Sequence, residues 1–320
     1  MQEGNPQTGR SVRGNNRTLA THPHTLSVIL LVTIFLVAGI LRYYRLSVTI
    51  RFAADQGLDM VSIWQMQKTG TLPLVGPFLS LPDVHTPPTY YFFNWFLYTL
   101  THSVTGLVYA YALINLVTMA ILVRLAYEMK GIRMAILTGI VFAASTVMID
   151  HSRSFWQPYP IQLFLSLSLL FLWRMTVNRS VLSLWAGVFF YAVAVSVYPS
   201  PILLLPLVCW HLVRWYRINR GLPIASSLMV TVGILMVPFL LLFSPQLYFE
   251  FTRGFPTLMN VFAHHDELLH VSPTVSVMQN LTELITIFLP PIVSRIRTCL
   301  RQRSFSSPCV LFWYGAVQNR

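Results

Sequence analysis

Long apolar runs alternate along this chain with short polar connectors. Eight such runs occupy residues 26–41, 104–126, 134–149, 160–175, 181–197, 201–213, 223–243 and 281–293. A helix needs about 20 apolar residues to cross a bilayer, and the runs approach that length. The pattern predicts an all-α integral membrane protein: a multi-span helical bundle of about eight spans over residues 26–303. Residues 1–25 then form a cytoplasmic tail, and the segment 304–320 has no assigned role.

A ninth apolar segment, PPTYYFFNWFLYTL at 87–100, is short, opens with two prolines and is rich in Tyr and Trp. Such composition suits the membrane–water interface, and the basic residues decide its placement. Four connectors carry them: Arg124, Lys130 and Arg133; Arg174 and Arg179; Arg214, Arg217 and Arg220; Arg295, Arg297, Arg301 and Arg303. Cytoplasmic loops are the ones enriched in Lys and Arg. All four connectors share that side only if 87–100 does not cross, so this segment is expected to lie along the outer surface. Arg10, Arg13 and Arg17 precede the first run, and no small-residue cleavage site follows it, so an uncleaved signal anchor is expected. Two large outer loops result, 42–103 and 244–280, with shorter outer connections at 150–159 and 198–201.

Composition narrows the class further. Only 10% of residues are charged and 55% are hydrophobic, against about 25% charged in soluble domains; a soluble enzyme and a disordered tail are both excluded. The net charge of +12 on a soluble protein would point to nucleic acid. Here the arginines end apolar runs, so the charge reports topology and no nucleic-acid partner is expected. Cys209, Cys299 and Cys309 fit neither a metal spacing nor a disulfide framework; Cys209 is expected to be a small core residue.

The acidic residues do not follow the insertion rule. Asp55, Asp59, Asp83, Asp150, Glu250, Asp266 and Glu267 fall on the outer side, Glu3 and Glu128 on the inner side, and Glu283 at the start of the last run. In the first outer loop, Asp55 is a good helix N-cap and Gly70 a good C-cap. On the helix between them Asp55, Asp59 and Ser62 share a face, while Leu58, Met60, Val61, Ile63 and Trp64 occupy the others. Either the carboxylates aim into a cavity, or Asp55 caps and Asp59 is solvated. Proline and glycine then break the chain repeatedly from Pro73 to Pro88, and a long loop of this kind is usually functional or disordered. Asp83 and His85 are two apart, a weak metal pattern. Arg153, in DHSRSFWQPYP, lies on the outer side against the usual charge bias, and its guanidinium suits a phosphate or a lipid headgroup. Arg51, Lys68 and Arg253 are open to the same two readings. His264, His265, Asp266, Glu267 and His270 form a polar loop without a recognised metal spacing.

Taken in order, the anchor, DQGLD (55–59), GTLPLVGP (70–77), HTPPTYYF (85–92) and the Ser152-Arg153 element resemble the GT-C superfamily of membrane glycosyltransferases. The likeness covers residues 26–243. It is nearest to the branch of protein O-mannosyltransferases and lipid A aminoarabinose transferases. The resemblance implies a polyprenyl-phosphate-linked sugar as donor, a protein, lipid or glycan acceptor, inversion at the sugar, and an active site facing outward from a bacterial plasma membrane. Asp55 is implied as catalytic base, with Asp59 as a second carboxylate. Arg153, and after it Lys68 and Arg253, are implied to meet the donor phosphate. Gln56, His85, Pro87, Pro88, Tyr90 and Tyr91 are implied to shape the site. A divalent metal ion, if used, would draw on Asp55 and His85. The chain departs from the family in having Gln56 where Asp-Glu is common, and in placing Thr86 within the His-Pro-Pro element. It also ends soon after its eighth run, so it is expected to be C-terminally short.

Three other readings compete. Two nearby carboxylates also suit glycoside hydrolysis. A transporter places ionisable groups inside its spans, and these spans are nearly free of them. An inactive or structural membrane subunit follows if the short C-terminus is disabling.

Overall fold

The computed structural model describes residues 23–79, 84–218 and 224–263. The N-terminal tail, Asp83, Arg220, the second outer loop from His264 onward with Asp266 and Glu267, Glu283, the run 281–293 with the basic connector after it, Cys299, Cys309 and the segment 304–320 lie outside the described residues.

Among the described residues the apolar runs become helices: α1 (Pro23–Tyr43), α2 (Ala54–Thr69), α3 (Thr89–Thr101), α4 (Val104–Lys130), α5 (Ile132–Ala144), α6 (Thr146–His151), α7 (Ile161–Asn178), α8 (Val181–Val197), α9 (Leu205–Ile218), α10 (Ile224–Arg253) and α11 (Pro256–Ala263). The only β pairing among them is an isolated antiparallel bridge between Phe78 and His85. Three helical segments, Thr25–Val48, Val104–Lys130 and Ile161–Asn178, are long and apolar enough to cross a membrane. Their outer faces agree: Leu26, Ile29, Leu36 and Ile40 of α1 are exposed, as are Leu113 and Val117 of α4. Exposed apolar area on this scale is compatible with a lipid surround.

Local chemistry sets the element ends. Ser103 Oγ accepts the Gly106 N–H (2.9 Å) to start α4, and Ser180 Oγ accepts the Ser183 N–H (3.3 Å) to start α8. Gly70 ends α2 in the left-handed region, as the sequence predicts. Four boundaries differ from expectation. The run 134–149 is split, because Ser145 turns extended and its Oγ caps Met148 N–H (3.4 Å), separating α5 from α6. The run 201–213 opens as a 3-10 turn over Ser200–Leu204 before α9 begins. The run 223–243 continues helically to Arg253 through Pro238 and Pro245, so residues 244–253 are helix rather than loop. Asp55 is not the N-cap of α2; that position falls to Ala53, whose N–H is accepted by the Gln56 side chain.

Packing in the unit formed by residues 1–257 centres on α4, α7 and α8. α7 and α8 lie close because Gly187 has no side chain: a Cβ there would come within 2.9 Å of Leu172. Ser168 Oγ uses the approach to donate to the Gly187 carbonyl (2.8 Å). α9 buries a stripe of Val208, His211, Leu212 and Trp215 at helical spacing. Cys209 is off that stripe and exposed; it is not a core residue. The second unit begins at Leu258, and its described part is the remainder of α11.

One charged side chain holds the helices together. Arg42, in the last turn of α1, is 0% exposed. Its Nε donates to Asn115 Oδ1 (2.5 Å), and its terminal nitrogens donate to the carbonyls of Ala38 and Phe142 (3.1 Å each). It therefore ties α1 to α4 and α5.

Candidate active site

The helical face read from the sequence opens onto a cavity. Asp55, Asp59 and Ser62, one turn apart on α2, line it together with Leu58 and Val61. Its volume is about 500 Å³. Pro77, Phe78 and Leu79 form a second wall, Trp156, Gln157 and Pro158 a third, and Tyr91 and Tyr198 complete the lining.

The second wall is a pair of short segments, 76–79 and 84–86, that run antiparallel. Gly76 N–H donates to Thr86 O (2.7 Å), Thr86 N–H to Pro77 O (3.1 Å), and Leu79 N–H to Val84 O (2.7 Å). A Cβ on Gly76 would sit 2.3 Å from the Pro87 carbonyl oxygen and 2.8 Å from Thr86 Oγ1, so no larger residue fits the observed path. The His85 Nδ1 hydrogen-bonds Gly76 O (3.0 Å), its ring packs on Phe78 at 4.3 Å, and its carbonyl accepts from Gln246 of α10 (2.9 Å). His85 thus supports the wall from behind and does not itself line the cavity. Thr86, the residue that interrupts the His-Pro-Pro element, is buried and accepts from Gln157 Nε2 (2.9 Å). The same nitrogen donates to Val197 O (2.8 Å), and this joins the second and third walls.

Of Gln56, Pro87, Pro88, Tyr90 and Tyr91, expected to shape the site, Tyr91 lines the cavity and the other four do not. Gln56 is buried, and its Nε2 donates to Ser154 Oγ (2.9 Å), which anchors α2 to the segment before α7. Pro87 and Pro88 are buried at the start of α3. Tyr90 is fully buried and donates to Phe155 O (3.0 Å).

The two carboxyls sit in different surroundings. Asp55 is exposed, in the first turn of α2, where the helix dipole favours an acidic side chain. Asp59 is only 4% exposed. Burial raises its pKa from 3.8 to about 7, and the neighbouring Asp55 charge adds to the rise. Hydrogen bonding from Tyr90 and Tyr91 opposes the shift. Burial in turn pushes Tyr91 up to about 12. Near neutrality Asp59 therefore exchanges its proton, while Asp55 faces the cavity.

The expected cations are elsewhere. Arg153 donates through Nη1 to Thr49 Oγ1 (2.9 Å) and through Nη2 to Leu41 O (3.1 Å), at the end of α1. Lys68 Nζ lies 3.7 Å from the centre of the Trp64 ring, and the Arg253 guanidinium 4.7 Å from that of Phe249. Arg51 pairs with Asp150 at 2.5 Å. None of the four lines the cavity. Among the described residues no group of three or more His, Cys, Asp or Glu side chains comes together for a metal ion. Asp55 and His85 are not joined in such a group.

Sequence reasoning missed Trp156, Gln157, Pro158, Tyr198 and Thr86. The signal available for the first three was their place in an outer connection, SFWQPYP, next to Arg153. No protein-family model matches the chain, and no curated protein matches it either.

Proposed function

We propose that the chain is a membrane glycosyltransferase that moves a sugar from a polyprenyl-phosphate donor to an acceptor hydroxyl on the non-cytoplasmic side, with inversion. The observation that carries this reading is the convergence of Asp55, Asp59 and Ser62 with Tyr91, Trp156 and Tyr198 on one cavity of about 500 Å³. Carboxylates that meet hydroxyls and aromatic faces that stack on sugar rings are the chemistry such a reaction needs. Trp156 is 42% exposed and offers such a face.

Transfer is a single displacement. The acceptor oxygen attacks the anomeric carbon, the carbon–oxygen bond to phosphate breaks, and polyprenyl phosphate leaves with the electron pair. Asp55 takes the hydroxyl proton. Asp59, raised to about 7 by burial, stays largely neutral below that pH and keeps a second negative charge away from the departing phosphate. The surrounding architecture is a bundle of about eight spans, with α2 and α3 lying at the outer surface. α3, of 13 residues, reaches only about 20 Å at 1.5 Å per residue, too short to cross.

The test is to reconstitute the purified chain in vesicles with polyprenyl-phosphate hexoses and pentoses and to follow transfer to added acceptors. Turnover with at least one donor supports the proposal, and its absence with every donor refutes it. Cysteines placed at Ser103 and Lys130, the two ends of α4, test orientation; labelling of the Lys130 site from the acceptor side would invert the arrangement.

A second reading has its own support. One buried acid raised to about 7 beside one exposed carboxylate, with no Lys or Arg among the described residues lining the cavity, also matches the acid and base pair of a glycoside hydrolase. Water then replaces the acceptor. Free sugar, formed at the same rate with and without acceptor, would favour it.

A further inference from the structure

The helix ends opposite the Asp55 cavity form a second, open cavity of about 510 Å³, lined by Arg124 and Glu128 of α4, Phe171, Trp173, Arg174, Val177 and Asn178 of α7, and Ser183 of α8. α7 connects the two regions: its N-terminal approach supplies Trp156–Pro158 to the first cavity, and its C-terminal turns supply Arg174 and Asn178 to the second.

Charge in the second cavity does not balance. Glu128 accepts from Arg124 Nε (2.8 Å) and from Arg174 Nε (3.1 Å) and Nη2 (2.7 Å). One carboxylate thus faces two guanidiniums. The terminal nitrogens of Arg124, and Nη1 of Arg174, make no hydrogen bond among the described residues. Lys130, Arg133 and Arg179 follow at the same end of the helices, and Glu128 is the one acidic side chain there among the described residues. The first turn of α8, which carries Ser183, adds the positive pole of a 17-residue helix. A cavity with spare guanidinium donors, a hydroxyl, an amide and a helix N-terminus is built for phosphate.

We propose that this cavity binds the phosphate of an anionic phospholipid headgroup in the leaflet at that end. The proposal rests on α4 and α7 crossing a bilayer, and it is independent of any chemistry at Asp55. α7, of 18 residues, spans about 27 Å, which sets its last turn at headgroup depth. Trp173 and Phe171 at the cavity wall suit that interface. Basic pockets between spanning helices hold lipid headgroups by the same physics.

The experiment places the purified full chain in vesicles of phosphatidylcholine alone or mixed with phosphatidylglycerol, and measures the unfolding temperature together with lipid retained on the protein. Phosphatidylglycerol is expected to be retained and to raise the unfolding temperature. Ser183→Asp puts a negative charge into the cavity and leaves the Glu128 pairs intact; it should weaken retention about fivefold. Arg124→Gln should do the same, since Arg174 still pairs Glu128. Glycerol phosphate added to phosphatidylcholine vesicles separates the two sources of phosphate: the same rise in unfolding temperature would assign the site to a soluble phosphate ester. No difference between the two lipids with no effect of glycerol phosphate, or a lipid effect unchanged in both variants, would overturn the proposal.

Discussion

Replacing Asp59 by Asn removes the most strained ionisable group of the site, and its consequence can be worked out. The carboxyl is raised from 3.8 to about 7. A raised acid binds more protons in the folded than in the unfolded chain between those two values, so stability falls as pH climbs through that window. Below the unfolded pKa the penalty is absent; above the folded pKa it is complete. About three pH units at 1.36 kcal/mol each give a penalty of about 4 kcal/mol. The Asn variant cannot ionise. Its unfolding, followed by tryptophan fluorescence in detergent across pH 4 to 8 (roughly the window set by those two values), should therefore lose most of the pH slope. It should be more stable than the parent at the alkaline end and no more stable at the acid end. Parent and variant with parallel slopes would refute the claim that Asp59 is buried with its proton.

Other outcomes follow from single contacts. Gly76→Ala forces a Cβ against the Pro87 carbonyl and should cost about 1–3 kcal/mol and remove most activity, checked by unfolding and turnover side by side. Arg42→Ala strips Asn115 and two carbonyls of their partner and should destabilise by about 3 kcal/mol; a thermal shift near zero would show that α1 is held by other contacts. Arg153→Ala loses the bonds to Thr49 and Leu41 and should lower stability with the donor KM unchanged. A rise in KM with stability intact would instead restore Arg153 as a phosphate contact.

Much of the helical framework was legible because lipid-facing and core-facing positions are both apolar, so runs survive whichever way a helix turns. The Asp55, Asp59 and Ser62 face was legible for a different reason: residues three and four apart must be neighbours on any helix. The same rule explains why Lys68 and Arg253 left the site. Each has an aromatic ring four residues earlier, Trp64 and Phe249, and settles on it. The antiparallel pairing of 76–79 with 84–86 was not legible, since its register depends on the close approach of Gly76 to Pro87, which no local pattern encodes. The burial of Arg42 was not legible, because a cation after an apolar stretch is the ordinary mark of a membrane boundary. Asn115, 73 residues away, and the Phe142 carbonyl, 100 residues away, make its burial possible.

The most direct measurement is polyprenyl phosphate release by Asp55→Asn beside the parent protein, each reconstituted and matched for unfolding temperature. A positioned base contributes roughly 10²- to 10⁴-fold, so the variant should retain no more than about one per cent of the parent rate. Release at the parent rate from a correctly folded Asn variant would contradict the assignment of this cavity as the place where sugar changes hands.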